Sequence, residues 1–473
     1  MKAQIENLGA IHKAEIDVKP LTVFVGPNNT GKTWTVYTLA AILGSYGRDR
    51  YTEEYVSGEI IDLYPPIDSA VKHLSDEGNA KIDLVEFFIE YGNKYLNNLA
   101  IHMPKWMGAF LGSQRASFSK LKLSINLSDA ELKKIIPKTI LKLPIKSGLS
   151  IGKRGALLNA IKKKGEPEIY FYTKEQESKL DEKMHPSVIK DFVASIVFRG
   201  IHRAIYSRVY YFAAERTSLV SLANSIREVH RKEIPEGEIK DAGGDTPNST
   251  ALAIPVGGLL EIITQARFTG SLENRLKESK KEPLISNYLK SAELLQEILG
   301  GNLDFTKPDA CIDRELIFNY NSEVTISLDL AVVSSMVKDL SALVLYLQYI
   351  AMPGDLLVID EPEMNLHPKA QVELIELLSI LVNSGLNILI TTHSPYVVDH
   401  LTNLMKAYSH KDADHIKDKF YLKRKEAFIS SRDVSVYLFE KNTAKSILNK
   451  SGRIDWETFS SVSEQVSQLY FEL

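Results

Sequence analysis

Cysteine is nearly absent from this chain: Cys311 stands alone among 473 residues. A single thiol excludes an internal disulfide framework and a cysteine-based metal cluster, and it suits a reducing compartment. Long hydrophobic runs are missing too, since none reaches the roughly 18 residues that a membrane-spanning helix needs. The opening MKAQIENLGAIHKAEI alternates like a strand and lacks the apolar stretch of a signal peptide. Net charge is only −3, which leaves the molecule as a whole without an electrostatic footprint for nucleic acid or membrane. These absences predict a soluble, cytoplasmic protein with no membrane partner.

What is present is a globular composition on a long chain. Hydrophobic residues at 44% and charged residues at 25% are typical of packed soluble proteins. The length exceeds what one core usually covers, which predicts two or three domains. Charge is unevenly spread. Residues 120–164 carry twelve Lys and Arg, including Lys162, Lys163 and Lys164, against only Asp129 and Glu131. That segment is +10 and the remainder −13. It is a candidate surface for DNA or an acidic partner. The plainer reading is a solvated lysine-rich face, because its lysines mix with Ile, Leu and Pro rather than with stacking aromatics.

Apolar alternation predicts N-terminal strands up to the short run Leu21–Val25, then a glycine-rich turn and a helix from Lys32 to about Leu43. Residues 86–100 read as helix, Lys120–Ile125 and Glu168–Tyr172 as strands, and Val209–Ala214 as a buried strand. Residues 235–255 have the Gly, Pro and Asp content of a loop, and 257–299 are helical in pattern. From Glu323 onward strands and helices alternate, with strands expected at Phe420–Leu422 and Val434–Leu438 and a helix after Trp456. The expected fold is α/β: a mostly parallel sheet with an N-terminal antiparallel β part, interrupted by a large, mainly helical insertion. The expected divisions are 1–48 (N-terminal lobe), 49–205 (mixed insertion), 206–322 (a strand plus a helical arm) and 323–473 (C-terminal lobe).

Gly26-Pro27-Asn28-Asn29-Thr30-Gly31-Lys32-Thr33 matches GxxxxGK[ST], after an apolar strand and at the start of a helix. Glycines at these positions let backbone N–H groups curl around phosphate oxygens while the helix N-terminus adds positive potential. Lys32 would neutralise β/γ-phosphate charge, and the Thr33 hydroxyl would ligate Mg²⁺. The expected cofactors are ATP and Mg²⁺, held by Gly26, Asn28, Asn29, Thr30, Gly31, Lys32, Thr33 and Trp34. Leu356–Asp360 is an apolar strand whose end presents Asp360 to the metal, and Glu361 follows where it can polarise a water. Asn387–Thr392 is another buried strand, succeeded by His393, whose ring would reach the γ-phosphate. Alone, such a histidine is more often a satisfied imidazole.

These strings together resemble the ABC-type ATPase superfamily and, within it, the OLD-, RecF- and SMC-like branch. Asp360-Glu361-Pro362-Glu363-Met364-Asn365-Leu366-His367-Pro368 is similar to the DEPE-x-x-LHP string of OLD-like ATPases, and Ile390–Pro395 resembles their switch-histidine strand. Ile5–Gly9 and Gly26–Asn29 also look like that branch; the coverage is residues 1–45 and 325–405. The resemblance implies an ABC-ATPase head with Asp360 as Walker B metal ligand, Glu361 as catalytic base and His393 as switch histidine, acting with Lys32. Asn365 and His367 fall in the dimer-contacting D-loop. The signature turn is Ser334-Ser335-Met336-Val337-Lys338, with Met336 and Val337 where a glycine pair is usual. Ser335 and Lys338 would face the nucleotide of a partner subunit, although plain N-capping also accounts for Ser334 and Ser335. Tyr211–Arg216 looks like a strand-plus-Arg element of the same branch; Arg216 would touch phosphate or the partner, or form an ordinary surface salt bridge.

The implied function is an ATP-hydrolysing head that forms a homodimer or higher homo-oligomer through shared nucleotide sites and controls a separate effector, a nuclease or toxin, in anti-phage defence. About 70 residues follow the switch region, too few for the Toprim nuclease domain of OLD enzymes, so the effector is expected to be another protein. Two further readings stay open: a RecF- or SMC-like ATPase acting directly on DNA, and an ATP-binding scaffold with negligible turnover.

Overall fold

In the computed structural model the described residues are 1–61, 63–150, 157–173, 185–221, 253–269, 271–306, 314–321, 326–449, 452–455 and 468–469. Most of the expected 235–255 loop and the helix after Trp456 lie outside them. The chain forms two units by contact. One comprises Met1–Asp17, Tyr37–Phe110 and Arg115–Val209; the other comprises Val18–Val36, Leu111–Gln114 and Tyr210–Leu473. The fold is α/β, as expected.

The second unit is built on short strands that are apolar on both faces, the pattern of a sheet covered by helices on each side. Its strands run in the order Thr443–Ser446, Val434–Glu440, Leu21–Val25, Asn387–Thr392, Leu356–Asp360 and Val209–Phe212. Leu21–Val25 lies parallel to both Val434–Glu440 and Asn387–Thr392, and Asn387–Thr392 is parallel to Leu356–Asp360. Register decides what the sheet presents. Val25 is opposite Thr392, and Asp360 is opposite Thr391, so three adjacent strands end together at one edge. In parallel sheets, the carboxyl ends of the strands are where ligands bind. Val23, Val25, Leu357, Ile359, Ile388 and Ile390 are all within the core, each contributing about 1.5–3 kcal/mol of transfer free energy. The helices Pro368–Asn383 and Pro395–Tyr408 follow with proline in the first turn and His367 and Ser394 as N-caps, an arrangement that starts a helix immediately after a strand.

One expected strand is absent. Phe420–Leu422 forms a bend instead, because the amides of Tyr421 and Leu422 donate to the buried Glu376 carboxylate at 3.0 and 2.7 Å. That charge also accepts from His400 at 2.7 Å. A buried carboxylate must be paired, and satisfying it outweighs strand propensity here. The strand Val434–Glu440 is present and two residues longer than expected.

The first unit holds an antiparallel trio, Lys122–Asn126, Lys2–Leu8 and Ile11–Asp17, and a four-stranded antiparallel sheet ordered Asn79–Asp83, Glu168–Thr173, Leu158–Lys162, Ile145–Leu149. The long helices Leu84–Phe110 and Pro186–Ile205 supply its core. Tyr51, Tyr55, Tyr64 and Tyr95 gather around Phe198 with ring centroids 5.1–5.5 Å away. His202 is buried among them, bonded to the Leu43 carbonyl at 2.9 Å and the Tyr95 hydroxyl at 3.0 Å, and burial lowers its pKa to about 3. Lys162, which the charge count placed on the basic surface, is in fact 1% exposed. Its ammonium donates to the Ile140 and Leu143 carbonyls at 2.7 and 2.9 Å, closing the end of the helix Ile136–Lys142. Among the described residues no helix is long and apolar enough to cross a membrane.

Candidate nucleotide site

The loop from Gly26 to Thr33 joins Leu21–Val25 to the helix Lys32–Leu43 and turns through two left-handed residues, Asn29 (φ 62°) and Gly31 (φ 94°). Gly26 (φ 139°) admits no side chain: a Cβ there would stand 2.4 Å from the Phe439 carbonyl oxygen. Thr30 closes the turn by donating to the Pro27 carbonyl at 2.9 Å. The Lys32 ammonium lies inside the loop, donating to the Gly26 and Pro27 carbonyls at 2.9 and 2.7 Å. Burial lowers it to about pKa 8, against the opposing pull of Glu361, Asp360 and Glu363. Asn28, Asn29 and Trp34 are exposed around it.

Thr33 donates to Asp360 Oδ1 at 3.1 Å, so the loop hydroxyl and the strand-end carboxylate meet although 327 residues separate them. Thr391 donates to the same oxygen and accepts the Glu361 N–H at 3.0 Å. Burial raises the Asp360 carboxyl, with these hydroxyl bonds opposing it. Glu361 is held in the left-handed region (φ 48°), a conformation costing a non-glycine residue about 1–2 kcal/mol. Its Oε1 is 3.0 Å from His393 Nε2, and that bond holds the carboxyl below its ordinary value. The donor set suits Mg²⁺, which takes hard oxygens and keeps waters and phosphate oxygens in its shell. Lys32, Thr33, Asp360, Glu361 and His393 are thus brought together.

The signature segment and the D-loop are placed as follows. Ser334 caps the helix Ser335–Tyr349, accepting the Val337 N–H at 3.4 Å. Ser335 is exposed, and Met336 packs partly against the core. Lys338 bends back to donate to the Ala331 carbonyl at 2.8 Å. His367 caps its own helix, and Asn365 points inward, donating to Asp339 Oδ2 at 2.8 Å.

Arg216 departs from the surface salt-bridge reading. It is 1% exposed and donates to the backbone carbonyls of Asp360 at 2.7 Å and Glu361 at 2.6 Å. Its Nε stands 4.0 Å from Asp339, which is buried on the helix Ser335–Tyr349 and also bonded by Thr217. Arg216 is therefore a clamp on the turn that carries Glu361. Glu363, named in the sequence only as part of the Asp360–Pro368 string, is a second component. It is 8% exposed, and its Oε1 accepts from Thr392 Oγ1 and from the His393 N–H, both at 2.7 Å. The signal for these residues was available: a lone Asp on the apolar face of a helix, and Thr-Thr ending a buried strand before a histidine, each demand a partner.

The fold and this loop define a nucleotide-binding ATPase class. The chain belongs to the AAA ATPase domain family, whose profile matches residues 1–398. No curated protein matches it. Solved structures similar to it include an SMC head bound to the C-winged helix domain of ScpA (10% identity, TM-score 0.33, covering 94% of this chain and 96% of that one). Another is an SMC head with an extended coiled coil bound to the C-terminal domain of ScpA, from Pyrococcus furiosus (10% identity, TM-score 0.32, 99% and 98%). Likeness at that level supports no reading of function.

Proposed function

We propose that the chain binds ATP with Mg²⁺ and hydrolyses it. The observation that carries this is the meeting of Lys32, Thr33, Asp360, Glu361 and His393 at the ends of three adjacent parallel strands. Backbone N–H groups of the Gly26–Gly31 turn and the Lys32 ammonium bind the phosphates; Thr33 and Asp360 hold the magnesium ion, which supplies further charge neutralisation. Glu361, kept ionised by its bond to His393, accepts the proton of the attacking water, and His393 holds that carboxylate in place. Residues 1–48 and 323–473 act as the two lobes of the ATPase head and 49–322 as its insertion. Ser335 and Lys338 serve the nucleotide of a second copy.

The finer assignment follows from the OLD-like strings: a cytoplasmic, OLD-like ATPase whose ATP-driven self-association controls a separate nuclease or toxin in anti-phage defence. Its test is the native mass of Glu361→Gln, co-expressed with its genomic neighbours, with and without Mg-ATP. An ATP-dependent dimer or larger ring carrying a neighbour's product is expected. A bare monomer in both conditions would remove the shared-site mechanism. The second reading, direct action on DNA, draws on the basic segment, in which Lys163 and Lys164 are exposed while Lys162 is not.

A further inference from the structure

The four-stranded sheet of the first unit is covered on one face only. Leu158, Ala160, Ile169 and Phe171 are buried, none above 1% exposure. Phe171 packs on Phe192 of the helix Pro186–Ile205, with ring centroids 6.2 Å apart. Alternation puts the neighbours of these residues on the other face. There Tyr170 and Tyr172, on an inner strand, are 40% and 41% exposed. Register sets what surrounds them. Lys81, Tyr170, Ile161 and Lys146 form one row across the four strands, and in the next row Tyr172 lies between Asn79 and Asn159. Antiparallel sheets commonly leave one face to water and fill it with polar residues. Two tyrosines side by side on an inner strand depart from that pattern.

The two rings are two residues apart, so about 6.6 Å separates them along the strand, room for one unstacked base on each. Exposed aromatics on a four-stranded sheet stack successive bases in this way. Tyr170 is held in place: its hydroxyl donates to Glu168 Oε2 at 2.5 Å. Lys81, 2.6 Å from Glu168, neutralises that carboxylate, so it sets no bare negative charge beside the rings. The cations left for phosphate stand at the rim. Lys146, on the outer strand, and Lys164, in the turn between the two inner strands, are exposed and have no carboxylate partner among the described residues. The lysine-rich segment has no stacking aromatics of its own; the fold supplies them from the strand Glu168–Thr173. A duplex keeps its bases stacked on one another and out of reach of such rings, so the strand that fits is single. The side chains flanking Tyr172 are carboxamides, which both donate and accept, as a ribose 2′-hydroxyl does. That favours RNA over DNA.

We propose that this open face binds single-stranded RNA, with two bases stacking on Tyr170 and Tyr172 and the flanking phosphates meeting Lys146 and Lys164. The proposal does not depend on the ATPase reading. A fluorescently labelled decauridine, titrated into the full chain and followed by anisotropy, is the probe. Saturable binding is expected, weakened about tenfold by Tyr172→Ala and retained in Tyr172→Phe, which keeps the ring. Lys146→Gln should weaken it and lower the salt slope by about 0.7. Lys138→Gln should leave it unmoved, because that exposed lysine is on the helix Ile136–Lys142, which packs on the helices Leu84–Phe110 and Pro186–Ile205. Absence of saturable binding would overturn the proposal. So would equal affinity with and without the Tyr172 ring together with a loss in Lys138→Gln, the mark of general attraction to the basic segment. Tighter binding of decathymidine at the same salt would overturn the choice of RNA. ATP binding by Tyr172→Ala should be unchanged, which shows that the variant folds and separates failure here from failure of the nucleotide site.

Discussion

Removing Arg216 should loosen the turn that carries Glu361 more than removing any carboxylate in it. Arg216 makes two charge-assisted bonds, at 2.7 and 2.6 Å, to the carbonyls of Asp360 and Glu361. Such bonds contribute about 1.5–3 kcal/mol each. Arg216→Ala also leaves Asp339 buried with only Thr217 and Asn365. Breaking one side of a buried ionic pair costs about 3–5 kcal/mol; the remaining partners of Asp339 place this case at the lower end, about 3 kcal/mol. The strained Glu361 backbone is the first element to relax once its clamp is gone. Native-state hydrogen exchange on the amides of Leu356–Glu361 is the assay, because it reads the local opening free energy. ATP turnover should fall with it. Asp339→Asn would restore part of the protection in the Arg216→Ala background, since the uncompensated charge disappears. A loss below about 1 kcal/mol, or additivity of the two substitutions to within about 0.5 kcal/mol, would refute the coupling.

Other outcomes are expected at the same site and in the first unit. Lys32→Ala should abolish ATP binding; in the native chain, affinity should fall as pH rises through about 8, by up to about tenfold per unit, because only the protonated amine neutralises phosphate. Equilibrium binding between pH 7 and 9.5 tests this, and a flat profile would refute it. Glu363→Gln keeps one acceptor for Thr392 and His393, whereas Glu363→Ala removes both bonds; the alanine variant should lose turnover with displaced His393 backbone amide resonances by NMR, while glutamine retains most activity. Equal loss in both would instead make the carboxylate itself the reacting group. His202 has a folded pKa near 3 against 6.5 unfolded. Below pH 6.5 the unfolded chain takes a proton that the folded chain refuses, so stability is full above that value. It is lost on acidification at up to about 1.4 kcal/mol per unit. Urea midpoints at pH 7 and 5 should converge in His202→Gln, and an unchanged difference would exclude this histidine as the cause.

The elements of the candidate site were legible because they are local: a glycine turn after Leu21–Val25, and apolar strands ending in Asp360 and before His393. Their meeting followed from parallel pairing. The partners of the supporting residues were not legible for a physical reason. Arg216, Glu363 and Glu376 bond to distant backbone groups, and Asp339 to the side chains of Arg216, Thr217 and Asn365; a single sequence does not say which buried charge answers which group. The same blindness placed Lys162 on a surface: a charge count does not distinguish a solvated ammonium from one that caps a helix. Phe420–Leu422 has strand composition, yet its amides are drawn to Glu376.

The parallel register also has a consequence for biosynthesis. Leu21 is paired with Ile388 on one side and with Val434 on the other. Ile388 emerges from the ribosome 367 residues after Leu21, a delay of about 20–70 s at bacterial and eukaryotic elongation rates. Throughout that interval the strand that leads into the Gly26–Thr33 turn has neither of its neighbours. Intervening residues, most of the first unit among them, are already outside the exit tunnel and free to fold. The nascent chain must therefore shelter one of its most apolar strands until its last third is made, which ties the yield of active protein to chaperone supply and to translation speed.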